Sequence, residues 1–353
     1  MVANNEIEVR NEFDHRIALM SFVSVVMVVF IHTSQNPSKE MLSWWSMQVF
    51  AHGICNMAVP YFFIVSGFFL GKHFGENGWW GFQVKKRVVT LLVPFFAWNV
   101  IMWSRSLVVD AVLNVKDGVG WLSNLPLGLV DLLKVIGVYP DFPFSVPTWY
   151  LRALFIFVLV SPVFIKGLLP LILVGIVKVV FDLFGWGGGI WHVFDPNGLF
   201  YFGIGCYLSQ HPICIEQRRG LGFFSIAVAV CLAGLRAVII FKGLMKGDLV
   251  GCIMVPLLLF GFWMVVPRKE LPGFLRNSVM AIFLSHLLVS MTFFNVLKIV
   301  WPMSLRPPGA ELLFETFGAQ IVLVVLQVVG SLLIASVVRR SRLLSGILFG
   351  GRC

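Results

Sequence analysis

The chain has 353 residues, of which 58% are hydrophobic and 12% are charged, and its formal net charge is +10. Soluble domains carry about 25% charged residues, so a soluble fold of this length could not cover its surface with so few. Apolar side chains that face lipid remove this difficulty. Lys and Arg cluster in short loops between apolar runs and form no long basic arm, which is typical of membrane topology and argues against nucleic-acid binding.

Apolar runs that are long enough, or nearly long enough, to cross a bilayer follow one another along the chain. The run at 196–209 is shorter than a full span and is expected to be tilted, broken or re-entrant. The pattern predicts an all-α, polytopic transmembrane bundle of about ten helices, forming a single membrane domain over 1–353. The runs are 17–35, 46–70, 88–108, 148–165, 167–184, 196–209, 221–241, 249–267, 278–298 and 318–338.

The basic residues predict the orientation of the bundle. Most of the 27 Lys and Arg residues fall in loops that share one side of the membrane, and none of the opposite loops has an adjacent basic pair. The positive-inside rule therefore predicts N-in and C-in. The first apolar run has no small-residue cleavage site after it, so it is expected to remain as a membrane helix. The largest outer loop, 109–147, carries several aspartates and is expected to dock a polar substrate.

The most informative polar side chain within an apolar run is His32, because ionisable groups inside the membrane are costly. Sixteen residues separate it from Arg16. That is about 24 Å along a helix and places the imidazole in the outer half of the hydrocarbon core. A neutral imidazole there can act as a general base. The alternative is an interfacial histidine that only hydrogen-bonds Thr33 or a neighbouring helix.

Other polar residues of the apolar runs favour structural roles. Lys178 and Asp182 are four residues apart, a spacing that predicts a mutual ion pair. The six cysteines are scattered, and no pair has metal-ligand spacing, so the sequence predicts neither a disulfide framework nor a metal site. No Gly-rich phosphate loop and no Ser-His-Asp order is present either.

Several segments in a fixed order carry a resemblance to a known family. They are FDHRIALMSFVSVVMVVFIHTS (13–34), AVPYFFIVSGFFLGKHF (58–74), KKRVVTLLVPFFAWN (85–99), PTWYLRALFIFVLVSP (147–162) and IFLSH (282–286). In this order and spacing they resemble the bacterial acyltransferase-3 family. Its members are integral membrane enzymes that move an acyl group, usually acetyl, from a coenzyme A thioester to a hydroxyl. Typical acceptors are surface polysaccharides, lipopolysaccharide, peptidoglycan or exported small molecules.

The resemblance implies catalytic roles for particular residues. His32 matches the histidine that ends the first helix and is regarded as catalytic. His286 matches a late-helix histidine, for which a hydrogen-bonded structural role is the alternative. Arg152 lies in the WYLR segment, where it could stabilise a developing oxyanion. Its alternative role is that of an arginine that snorkels to the interface.

The same resemblance implies binding roles at the two ends of the bundle. Lys85, Lys86 and Arg87 match a basic-to-apolar junction and are expected to bind the phosphates of acyl-CoA, although any positive-inside loop would look similar. Trp149, Tyr150 and Ser66 are expected to bind substrate. For Ser66 and the glycine after it, close helix packing is the alternative.

One position departs from the family pattern. Many members carry an arginine eleven residues before the catalytic histidine, three helical turns down the same face. In this chain that position is Ser21. Either another cation replaces the missing group, with Arg152 as the first candidate, or the coupling of donor binding to His32 differs.

The sequence thus favours a membrane-bound O-acyltransferase of the bacterial cytoplasmic (inner) membrane. Acyl-CoA, with acetyl-CoA as the expected donor, is a co-substrate and no cofactor is expected to stay bound. The expected partners are acyl-CoA, a carbohydrate or glycan acceptor and membrane lipid. Either His32 deprotonates the acceptor hydroxyl, or His32 is itself acylated first. A secondary transporter is the alternative function, because embedded histidines and broken helices fit it too. A structural membrane protein would leave His32 unexplained.

Overall fold

The computed structural model describes residues 2–33, 42–114, 133, 143–184, 195–211, 217–244, 248–267, 269–300 and 316–351. Within these ranges the chain is helical and contains no β-strand. The α-helices are α1 (Val2–Thr33), α2 (Leu42–Ser46), α3 (Ala58–Gly71), α4 (Trp79–Arg87), α5 (Val93–Asn114), α6 (Trp149–Val160), α7 (Leu168–Phe184), α8 (Pro196–Gln210), α9 (Arg219–Lys242), α10 (Leu249–Val265), α11 (Gly273–Val300), α12 (Phe317–Val338) and α13 (Arg342–Phe349).

Short π- and 3₁₀-helical segments extend several of these helices. The π segments are Met47–Ala51 and Val88–Leu92, and the latter joins α4 to α5 without a break. The 3₁₀ segments are Ile54–Met57, Val146–Thr148 and Ser161–Lys166. Such local changes of helix type are common where helices meet a functional site.

Seven helical segments of the described chain are long and apolar enough to cross a membrane. Val250–Val265 is apolar but shorter. The predicted runs 167–184 and 196–209 are helical, as α7 and α8, but are not among the seven. The all-α class is confirmed, whereas the count of about ten, the N-in/C-in orientation and the single domain over 1–353 stay predictions. The seven segments are His15–Thr33, Trp44–Gly71, Trp79–Val109, Val146–Ile165, Arg219–Lys242, Gly273–Leu297 and Phe317–Val338.

The outward faces of these helices are apolar. Leu169 on α7 is 65% exposed, and Leu333 on α12 is 63% exposed. Exposed apolar surface of this extent is unfavourable in water, and it suits contact with hydrocarbon.

Two ends of the bundle are distinguished by the direction of α1. At the proximal end, where α1 passes Arg16, the guanidinium donates to the backbone carbonyl of Trp263 and lies 4.2 Å from the centre of its indole ring. At the distal end, where α1 finishes, Phe30 packs edge-on against Phe50 and also against Phe317. In the predicted orientation the proximal end is cytoplasmic.

Helices α3 and α8 pack with their backbones in close contact. A Cβ atom added to Gly67 would lie 2.0 Å from the carbonyl oxygen of Phe202, and one added to Gly205 would lie 2.0 Å from that of Ile64. Small residues permit such an approach between membrane helices. This contact supports the packing interpretation of Gly67.

We expect Gly67→Ala to destabilise the protein by about 1–3 kcal/mol, because the new methyl group forces α3 and α8 apart. Thermal unfolding of the detergent-solubilised protein measures this effect as a lower midpoint. Gly234→Ala in α9 is the matched control, since a Cβ atom there meets nothing within 4 Å. Equal midpoints for the two variants would contradict the close approach.

Candidate functional site

Two histidines predicted from separate helices lie side by side. His32 is in the last turn of α1 and His286 is in the middle of α11. Their ring centroids are 5.3 Å apart, with the planes inclined by 36°. His286 is fully buried, whereas His32 is partly exposed. The fold therefore builds a membrane-embedded histidine pair.

The backbone of α11 selects the tautomer of His286. Its Nδ1 atom lies 3.1 Å from the carbonyl oxygen of Ile282, one turn earlier. A carbonyl only accepts, so Nδ1 carries the proton and Nε2 carries the lone pair. Nε2 is buried and has no hydrogen-bond partner among the described residues. Because a buried polar atom is normally satisfied, this nitrogen is available to a substrate hydroxyl or to water.

Helix α12 adds a polar stripe beside the histidine pair. Gln327 donates through Nε2 to the Thr33 hydroxyl over 2.8 Å, and Thr33 in turn donates to the Val29 carbonyl over 2.7 Å. Gln320 and Ser331 are also fully buried. In the described part of the chain, Oε1 of Gln327, Oγ of Ser331 and the whole amide of Gln320 lack partners. Unpaired groups of this kind favour an alcohol or water between α1, α11 and α12.

These α12 residues were missed in the sequence, although a signal was present. Gln320, Gln327 and Ser331 follow one another at spacings of seven and four residues within an apolar run. Such spacings place side chains on one face of a helix. A polar stripe on one face of an otherwise apolar helix predicts an inward orientation.

A large cavity opens at the proximal end of the bundle, and we call it the proximal cavity. Its volume is about 820 Å³, within the range of small-molecule sites. The predicted residues Ser66 and Tyr150 both line it, and their hydroxyl oxygens are 3.0 Å apart. Lys86 and Arg87 line its mouth. The fold thus brings two predicted substrate-binding residues and two predicted acyl-CoA-binding residues into one cavity.

A further cation of this cavity is Arg276, in the first turn of α11. Arg276 looks like an ordinary positive-inside residue in the sequence. It precedes His286 by ten residues, about 15 Å along the helix. A cation in this position relative to an embedded histidine is the signal that could have identified it.

Ser21 lines the same cavity, at the position where the family pattern has an arginine. Its hydroxyl donates to the carbonyl of Ile17 over 2.7 Å and lies 3.4 Å from the Tyr61 hydroxyl. Ser21 and Arg276 therefore border one space. Arg152, the replacement expected from the sequence, is buried in α6 and is not among the described residues that line this cavity.

The remaining predicted residues lie elsewhere. Lys85 is exposed on α4 and is not among the described residues of the proximal cavity. Trp149 lines a second, smaller pocket at the distal end, together with Lys178 and Asp182. The predicted ion pair of these two is confirmed, with Nζ 2.6 Å from Oδ2. The predicted docking loop 109–147 falls mostly outside the described residues.

Three aromatic side chains cluster in the wall of the proximal cavity. Phe62, Tyr150 and Phe283 all line the cavity, and their rings touch one another at centroid distances of 5.4–6.2 Å. The described lining includes neither histidine, but His286 is one turn beyond Phe283, about 4.5 Å along α11. The wall of the proximal cavity and His286 therefore lie on successive turns of α11.

Among the residues that the structure describes, no group of three or more His, Cys, Asp or Glu side chains is placed to hold a metal ion.

Comparison with known proteins identifies one family. The family model Acyl_transf_3, described as an acyltransferase domain, matches residues 14–338. The matched region contains the histidine pair and most of the lining of the proximal cavity. Comparisons with curated proteins and with solved structures find no match.

Proposed function

This chain belongs to the acyltransferase-3 family and is therefore an integral membrane acyltransferase. We propose that it moves an acetyl group from cytoplasmic acyl-CoA to a hydroxyl of a carbohydrate or cell-surface glycan. The observation that carries this proposal is the His32–His286 pair one turn beyond a cation-lined cavity. A bacterial cytoplasmic membrane is the setting in which the donor is on one side and a surface glycan on the other.

The proximal cavity suits the donor. Coenzyme A carries phosphates at one end and a thioester at the other. Lys86, Arg87 and Arg276 supply positive charge at the mouth, where Arg in particular can bind phosphate through two parallel hydrogen bonds. The interior wall is largely apolar, with Val65, Met280 and other side chains against which the pantetheine arm can lie.

Arg276 is a candidate to replace the arginine that many family members have at the position of Ser21. Both residues border the proximal cavity, so a guanidinium carried by α11 can act in the space that the family arginine would reach from α1. We propose that Arg276 on α11 supplies the positive charge that the family arginine supplies from α1. The two helices pack directly against each other.

The histidine pair supports base-catalysed acyl transfer. His32 takes the proton of the acceptor hydroxyl while its oxygen attacks the thioester carbonyl carbon. The carbon–sulfur bond then breaks, and the coenzyme A thiolate leaves and takes up the proton. In the alternative sequence of steps, His32 attacks first, and the acyl group passes from its nitrogen to the acceptor oxygen. His286 Nε2 is placed to accept a hydrogen bond from a protonated or reacting neighbour.

Consumption of the thioester by the purified protein tests this function. The full-length protein in lipid nanodiscs is expected to release free coenzyme A from acetyl-CoA when an extract of cell-surface glycans is present. Mass spectrometry of the glycans, from cells with and without the gene, is expected to show a difference of one acetyl unit. Absence of both signals would favour the transporter instead.

A further inference from the structure

A second cavity at the distal end takes no part in the chemistry described so far. This distal pocket lies between α3, α6, α7, α8 and α10 and has a volume of about 170 Å³. Sites for drug-sized ligands are larger, about 300–1,000 Å³, so this pocket suits a single small unit. Its polar lining includes Trp149, Lys178, Asp182, Asp195, Tyr201 and Asp248, together with two asparagine amides and a thiol.

Each carboxylate of the distal pocket has a partner within the protein. Asp182 is paired with Lys178 at 2.6 Å, and Asp248 is paired with Arg236 at 2.7 Å. Asp195 caps α8 by accepting from the backbone N–H groups of residues 197 and 198 at 3.0 and 2.9 Å. Each carboxylate thus already has a cationic or N–H partner, although the three carboxylates outnumber their two cations by one.

Desolvation raises the pKa of Asp195 to about 6, whereas the backbone N–H groups of residues 197 and 198 favour its ionised form, whose oxygens accept hydrogen bonds. The other two carboxylates also keep an oxygen that is not used in their ion pairs. The pocket is therefore rich in acceptors. Groups that satisfy such a lining are hydroxyls, which both donate and accept.

The clearest indication of a ligand comes from Tyr201. Its side chain lines the pocket and is only 2% exposed. In the part of the chain that the structure describes, its hydroxyl has no hydrogen-bond partner. The hydroxyl oxygen is not among the fully enclosed, unpaired polar atoms of the described chain, so it faces the pocket, where water or a ligand can pair with it. A ligand in the distal pocket could therefore form a hydrogen bond with the Tyr201 hydroxyl.

Apolar walls complete the distal pocket. Phe63 and Trp149 line it, with their ring centroids 6.2 Å apart. Sugar rings have apolar C–H faces as well as hydroxyls, so they match a lining that combines aromatic rings with carboxylates. We propose that the distal pocket binds one ring of a neutral, hydroxyl-rich carbohydrate. This inference rests on the proposed function, in which it is an acceptor subsite remote from the reacting hydroxyl.

The position of the pocket fits a subsite. It lies at the distal end, where α1 finishes with His32, and it is separated from the donor by one aromatic contact. Phe63 lines the distal pocket, Tyr150 lines the proximal cavity, and their ring centroids are 4.7 Å apart. Binding a second sugar ring here would anchor the acceptor without exposing the thioester to water. Binding energy from such remote parts of a substrate can favour the transition state.

Direct binding of simple sugars tests the proposal. Methyl α-D-glucopyranoside, methyl α-D-galactopyranoside and methyl N-acetyl-glucosaminide are titrated, without acyl-CoA, into the full-length protein in nanodiscs, and saturation-transfer NMR measures Kd. We expect at least one glycoside to bind, and Tyr201→Phe to weaken that binding about three- to tenfold, the effect of one lost hydrogen bond. The same variant is expected to unfold at the same temperature as the original protein or higher.

Tyr207→Phe is the matched control, because Tyr207 lies on the same helix but stacks on His211 outside the pocket. It is expected to leave Kd unchanged. The proposal is overturned if no glycoside binds, if tetramethylammonium binds in their place, or if Tyr201→Phe binds as tightly as Tyr207→Phe. The assay needs no chemistry, so sugar binding without coenzyme A release would instead count against the proposed acyl transfer.

Discussion

His32→Ala is expected to lower the kcat of acyl transfer by about 10²–10⁴-fold, the usual contribution of a general base. If the imidazole is itself acylated, the loss is larger, because no intermediate can form. The KM for acetyl-CoA is expected to change little, since His32 is not among the described residues of the proximal cavity. Release of free coenzyme A by the purified protein, measured at several donor concentrations, separates the two parameters.

His73→Ala is the matched control for His32. His73 is paired with Glu76 at 3.1 Å on the surface after α3, and its loss is expected to leave activity unchanged.

His286→Leu removes the unpaired Nε2 of the pair. If the two histidines act as a unit, the double variant His32→Ala/His286→Leu is expected to have the same kcat as His32→Ala alone. Full activity of His32→Ala would rule out the catalytic assignment.

Arg276→Gln is expected to raise the KM for acetyl-CoA by about tenfold or more, the loss of a hydrogen bond to a charged group. The substitution keeps a polar side chain of similar length but removes the charge at the mouth of the proximal cavity. The effect on kcat is expected to be smaller, because the phosphates of the donor are remote from the reacting carbonyl. Initial rates over a range of acetyl-CoA concentrations measure both.

Arg340→Gln provides the comparison for Arg276. Arg340 is exposed in the turn after α12, at the same end of the bundle, and is not among the described residues of the cavity. Its replacement changes the net charge equally and is expected to leave KM unchanged. A similar rise in KM for both variants would mean that the overall potential, and not a phosphate contact, binds the donor.

Much of the fold could be predicted because burial in lipid leaves a strong pattern in the sequence. Long apolar runs identified the helices, and His32 and His286 were conspicuous because ionisable groups are rare in such runs. The Lys178–Asp182 pair followed from helical spacing alone. All of these inferences use local chemistry, for which a single helix is sufficient.

The lining of the two cavities could not be predicted in the same way. Trp149 and Tyr150 are adjacent in the sequence, yet they line different cavities. Consecutive residues of a helix point about 100° apart, and only the neighbouring helices determine what each side chain meets. For the same reason the sequence could not distinguish Arg276 from the other basic residues of the loops, or Lys85 from Lys86.

By itself, then, the sequence determined a helical membrane protein with embedded histidines. Polar groups are costly to place in hydrocarbon, so an ionisable residue within an apolar run stands out in the sequence. Only the tertiary structure decided that the rings of His32 and His286 are 5.3 Å apart and that Gln327 of α12 hydrogen-bonds Thr33, next to His32. It also decided that Arg276 borders the same space as Ser21. These relations join residues far apart in the chain. They depend on how helices pack, and the pattern of any one helix does not encode which neighbour it meets.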